Sequence, residues 1–200
     1  RRLDVRVAVG CSYTAGTGVD GCEAYPTIMG YENWAKAGVD IEYTLWTAHR
    51  AVEHGATHLL FQLTSWDRST LANEGTHNFA HNRSYTGVPK VEHYTVADYV
   101  NSRDDNFKWY YETQTQSNWR TENLAQRLVE FRTWAGWNDC EVKFFDWLPR
   151  HKGINVHPLV ATLLPSQSVL DWLGDDYFVD DHYHVNAGGH LKIAREYLGT

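Results

Sequence analysis

The chain has 200 residues, 42% of them hydrophobic, which is enough for a single globular domain over 1–200 with a real core. Its 25 acidic and 18 basic residues leave a net charge of −7, so the composition gives no sign of a phosphate-neutralising surface and makes nucleic acid and an anionic membrane poor partners. The longest apolar runs, "HLLFQL" and "PLVATLL", fall far short of the roughly 20 residues of a bilayer crossing, so no membrane span is expected.

Val5, Val7 and Val9 alternate with Arg6 and Ala8 and run into "GCSYTAGTG", which predicts a short strand ending in a glycine-rich turn. "YENWAKAG" is a second short segment, closed by Gly38. "DIEYTLWTAHRAVEHG" places Ile41, Leu45, Ala48 and Val52 at three- and four-residue spacing, which predicts an amphipathic helix capped by Asp40 and stopped by Gly55. "THLLFQL" is a nearly continuous apolar run of strand length, as in a strand covered on both faces. From about Ser69 to Ser117 the pattern breaks down into a polar, aromatic stretch with "HNFAHNRSY" and "NFKWYYETQTQ", read as an insertion of the kind that forms lids or binding loops. "NWRTENLAQRLVEFRTWAGW" then predicts a helix, "CEVKFFDWL" a strand and "AGGHLKIAREYL" a last helix with Asn186 as cap. Strands alternating with helices make the fold class α/β with a parallel sheet between helical layers.

Three cysteines, Cys11, Cys22 and Cys140, are too few and too odd in number for a disulfide framework, although a Cys11–Cys22 bridge stays open. The cysteine count suggests a reducing compartment and no signal-peptide pattern opens the chain, so the expected location is cytoplasmic, with a processed leader left open by a start at Arg1 without methionine. Eleven histidines soften the acidic balance below neutral pH, since an unperturbed imidazole titrates near ~6.5.

Ser12 lies at the end of the first predicted strand, where open parallel sheets bind their ligands, and His184 lies in the loop before the last helix. A hydroxyl needs a base to become a nucleophile, and an imidazole serves when a carboxylate fixes its orientation. Asp181 stands three residues before His184, so one loop presents both. Cys11 is a rival nucleophile whose side chain should point away from that of Ser12. His182 and His184, with Asp181 beside them, also have the residue types of a zinc site, and "HNFAH" spaces His77 and His81 as two ligands on one helical face. Neither stretch comes with a convincing third ligand, so no metal is expected. His190 and Asn186 are read as residues that tie down the loop and cap the helix.

These blocks resemble those of the SGNH hydrolase superfamily, the GDSL-like esterases and lipases. Gly10-Cys11-Ser12 matches the family's "G-D-S" block, Asn33-Trp34-Ala35-Lys36-Ala37-Gly38 its "N-x-A-x-x-G" stretch, and Asp181 to His190 its "D-G-x-H-P-N-x-x-G-H" block without a gap. The resemblance implies a flavodoxin-like three-layer α/β/α sandwich with a mostly parallel sheet, and a serine hydrolase that needs no cofactor. It implies Ser12 as nucleophile, His184 as general base, Asp181 as the residue that orients it, and the amides of Ser12 and Gly38 as oxyanion-hole donors. The family's "G-x-N-D" block is where this chain departs. Alignment on "LLFQLTSWDR" puts Thr64 at the glycine, Trp66 at the asparagine and Asp67 at the aspartate, so the amide donor is missing. Strand alternation makes Thr64 the substitute, with Ser65 and Arg68 as alternatives.

The expected activity is hydrolysis of a small-molecule or carbohydrate ester, with short acyl groups such as O-acetyl suggested by the polar aromatic insertion. Longer acyl esters, lysophospholipids and thioesters stay open. The rival reading is a catalytically weak carbohydrate-binding or structural member of the same fold. The 9 tryptophans and 12 tyrosines fit either core filling or stacking on a substrate.

Overall fold

The computed structural model describes residues 3–64, 66, 69–72, 91–94, 118–147, 157–179 and 184–199. The valine alternation does form a strand, β1 (Arg6–Val9), and it pairs in parallel with β2 (Glu32–Asn33) on one side and β3 (His58–Leu63) on the other. β6 (Glu141–Asp146) adds to the far side of β3, also parallel, giving the sheet order β2-β1-β3-β6. The order turns back at β1, and the crevice beyond the C-terminal end of such a strand is where open parallel sheets hold their ligands.

Successive strand residues project to opposite faces, and both faces here are covered. Val7, Val9, Leu59, Phe61 and Phe144 pack on one side against Ile41, Leu45 and Ala48 of α3 (Ile41–Glu53) and Leu124, Leu128 and Phe131 of α4 (Asn118–Trp137). Ala8, Leu60 and Phe145 pack on the other side. There they meet Tyr25 of α2 (Tyr25–Ile28), Ile193, and Val169 and Leu173 of α6 (Val169–Leu173), which follows the single turn α5 (Pro158–Ala161). The result is the expected three-layer α/β/α arrangement, and α4 and β6 lie where the sequence puts them.

α3 begins and ends as its sequence predicts. The Asp40 carboxylate accepts the Tyr43 N–H at 2.8 Å, and Gly55 follows the helix at φ +92°. Its N–H donates to the Val52 carbonyl, and the Ala56 N–H donates to that of Ala51, which closes the helix in a Schellman turn. The last helix, α7 (Ala187–Lys192), is shorter than expected because Ile193–Tyr197 winds on as a π turn, with the Leu198 N–H on the Ile193 carbonyl at 2.9 Å.

The segment read as an unpatterned insertion contains a two-stranded antiparallel ladder, β4 (Ser69–Ala72) with β5 (Val91–Tyr94). Strands of four residues outside the main sheet carry no apolar run long enough to show in the sequence. Residues 73–90 and 95–117, with His77 and His81, lie outside the described residues. No disulfide joins buried Cys11 to exposed Cys22. Among the described residues, no helix is long and apolar enough to cross a membrane.

Candidate active site

Ser12 is the first residue of α1 (Ser12–Ala15), a single turn that starts directly beyond β1. The turn closes at Gly16, whose φ of +79° suits a residue without a Cβ. Ser12 is half-buried, whereas Cys11 before it is wholly buried. The Cys11 sulfur lies 3.4 Å from Gln62 Oε1 and 3.3 Å from Gln62 Nε2, so the rival thiol faces the interior and is wedged against an amide.

The loop from β2 to α3 runs beside this turn. Asn33 donates from Nδ2 to the Thr14 carbonyl at 2.8 Å and accepts the Ala35 N–H at 3.2 Å. The Lys36 N–H donates to the Gly10 carbonyl at 3.1 Å. Gly38 sits further along the loop at φ +84°, a left-handed conformation that favours glycine. Thr64 is buried just beyond β3. Trp66, at the position of the missing amide donor, packs against the core of the α3 and α4 face.

His184 comes from the opposite end of the chain, yet it lies against the Ser12 turn. Its ring centroid is 5.4 Å from that of Tyr13, and a Cβ added at Gly18 would be 3.5 Å from the His184 Cβ. Tyr13 in turn stacks on the buried Trp147 at 4.4 Å between centroids and 12° between planes. Two backbone hydrogen bonds pin the stems of the histidine loop, Val179 N–H to the His184 carbonyl and Asn186 N–H to the Tyr177 carbonyl, each 2.8 Å. The Asn186 side chain accepts the Gly189 N–H at 3.0 Å and caps α7 as expected. Ser65, Arg68, Asp181 and His182 lie outside the described residues.

Gln62 was not singled out by motif reasoning. It is fully buried in β3, and its Oε1 accepts the Cys11 N–H at 3.0 Å and the Thr14 hydroxyl at 2.7 Å, while Nε2 donates to the Leu63 carbonyl at 3.1 Å. A carbonyl oxygen only accepts, so Thr14 gives it its one proton and must accept from the Tyr25 hydroxyl, 2.7 Å away. Tyr25 is fully buried, which pushes its phenol pKa far up and keeps the proton in place. Its own N–H donates to His190 Nδ1 at 3.3 Å. The available signal was a lone amide inside an otherwise apolar, doubly covered strand, because such a group must find partners.

His190 ties α7 to α2, where the sequence reading has it tying down the loop, and burial lowers its pKa to about 4 from an ordinary 6.5. As pH falls from 6.5 toward 4, the unfolded chain takes up a proton that the folded chain refuses. Folding therefore weakens by on the order of 3 kcal/mol across that window and not above it. Urea unfolding of the wild type and of His190→Gln over pH 4–7 should differ in slope by about one proton, and parallel curves would refute this.

The chain thus folds as a four-stranded parallel sheet between two helical layers. No family model matches the chain, and no curated protein matches it in sequence. Solved structures match it along nearly its whole length. One is TesA, at TM-score 0.53 and 13% identity, covering 96% of this chain and 94% of that one. Another is the psychrotrophic esterase EstA from Pseudoalteromonas sp., inhibited by monoethylphosphonate, at 0.56 and 13%, covering 98% and 96%. A third is a carbohydrate esterase whose active site displays divergent catalytic and non-catalytic binding functions, at 0.53 and 13%, covering 98% and 67%. At this identity the likeness is one of fold.

Proposed function

We propose that the protein is a serine ester hydrolase of the SGNH type. The observation that carries the reading is the approach of His184, from the C-terminal block, to the turn that begins at Ser12 beyond β1. In this mechanism Ser12 Oγ attacks the ester carbonyl carbon while His184 takes the hydroxyl proton, and Asp181 holds the imidazole in orientation. The Ser12 and Gly38 amides, with Thr64 in place of the family's asparagine, receive the developing oxyanion. The alcohol leaves with the proton from His184, and water activated by the same ring releases the acid from the acyl-serine. No step calls for a cofactor.

Short acyl esters, O-acetyl groups of a carbohydrate among them, are the proposed substrates. The polar aromatic stretch of the insertion and the carbohydrate esterase of the same fold support that choice. Trp66 in place of an amide donor favours a second reading, a carbohydrate-binding protein with weak turnover. A fluorophosphonate probe separates the two. Stoichiometric label on the Ser12 peptide, with turnover on a panel of p-nitrophenyl esters and acetylated sugars, is the expected result, and a folded sample that takes up no label would overturn the enzyme reading.

A further inference from the structure

The turn that carries Ser12 is a single helical turn whose cap residue, Cys11, forms no side-chain capping bond. What holds it from beneath is the Gln62 amide. Oε1 gathers the Cys11 N–H and the Thr14 hydroxyl, donors that flank Ser12 on both sides, and Nε2 is anchored on the carbonyl of Gln62's own neighbour, Leu63. Gln62 itself is fixed, because β3 is paired on both sides, with Val9 opposite Phe61 and Gln62 opposite Phe145. The chain of bonds then runs from Thr14 through Tyr25 to His190, inside the helix whose N-terminal loop holds His184.

We propose that Gln62, acting with Thr14, is a positioning residue that sets the Ser12 hydroxyl in register with His184. Neither side chain touches substrate, and the effect passes through the backbone of Cys11 to Ala15. The proposal rests on Ser12 being the nucleophile. A fully buried amide with donors on either side of the reacting residue fixes both the direction of the Cys11 N–H and the axis of α1. Displacements of about 1 Å at a reacting group can cost roughly 100-fold in rate.

The test compares Gln62→Met, which keeps the length without polar atoms, with Thr14→Val and Thr14→Ser, which remove and retain the hydroxyl. The readouts are kcat and KM on p-nitrophenyl acetate and the rate of fluorophosphonate labelling, taken where circular dichroism shows each sample folded. Gln62→Met and Thr14→Val should lose about 10- to 100-fold in kcat and in labelling rate with KM within about twofold, and Thr14→Ser should recover most of the loss. Should Gln62→Met fail to fold, the two Thr14 variants decide. Folded variants that label and turn over within about twofold of the wild type, or a Thr14→Ser as slow as Thr14→Val, would overturn the proposal. If Ser12→Ala turns over like the wild type, the nucleophile reading itself fails and takes this one with it. A wild type labelled at Ser12 and a Gln62→Met labelled equally fast would remove the positioning role alone.

Discussion

Ser12→Ala should lose ester hydrolysis by a factor on the order of 10⁴ or more while its unfolding midpoint in urea stays that of the wild type. The rate falls that far because every bond-making step of the proposed mechanism begins at Oγ, and groups acting as a unit lose nearly everything when one is removed. The fold survives because the bonds that shape the turn use other atoms. Thr17 N–H donates to the Ser12 carbonyl at 3.0 Å, Ala15 N–H to the Cys11 carbonyl at 2.9 Å, and Gln62 holds Cys11 and Thr14. His184→Ala should fall comparably. It keeps the backbone bond from Val179 N–H to the residue 184 carbonyl and loses the ring that lies against Tyr13. Wild-type turnover in either variant ends the assignment. A loss of rate matched by a loss of folded protein would instead give the residue a structural role.

Strands β1, β3 and β6 and the two largest helices were legible in the sequence because each is long enough to show a period or a cap, whereas β2, at two residues, is not. Val5 to Val9 alternate, Asp40 and Gly55 bracket an apolar stripe, and "HLLFQL" has the length and continuity of a doubly covered strand. The short helices α1, α2 and α6, at four or five residues each, repeat too little to register. The π turn at the C-terminus escaped for a related reason, since one turn of wider winding leaves the apolar spacing almost unchanged. Motif spacing singles out Ser12, Asp181 and His184 as candidates, and the bonds that support the Ser12 turn were not legible at all. Thr14 meets Gln62 across 48 positions and Tyr25 meets His190 across 165, so no local pattern encodes either pair. Gln62 showed only as an amide where an apolar residue would fit. The partners that make it informative appear only once β1 and β3 are side by side.

Gly10→Ala should destabilise the fold by about 1–3 kcal/mol and depress turnover as well, although it adds a single methyl group. A Cβ at this position would overlap Thr14 Oγ1 and lie 2.6 Å from Gln62 Oε1 and 2.8 Å from Gln62 Cβ. None of these atoms can withdraw at little cost. Gln62 stands in a strand paired on both sides, its Oε1 is held at 2.7 Å by the Thr14 hydroxyl, and that hydroxyl is held at 2.7 Å by buried Tyr25. The methyl must therefore move either the backbone that leads into Cys11 and Ser12 or the amide that supports it, and both routes disturb the same turn. Gly136→Ala in α4 supplies the contrast, for a Cβ there meets nothing within 4 Å. At that helical site the same substitution should stabilise by up to about 1 kcal/mol and leave turnover alone, since alanine loses less backbone entropy than glycine on entering a helix. Urea unfolding with initial rates on both variants measures the difference in sign. Equal stability for the two would mean that the space between Gly10 and Gln62 is not closed in solution, and the support beneath Ser12 would have to be sought elsewhere.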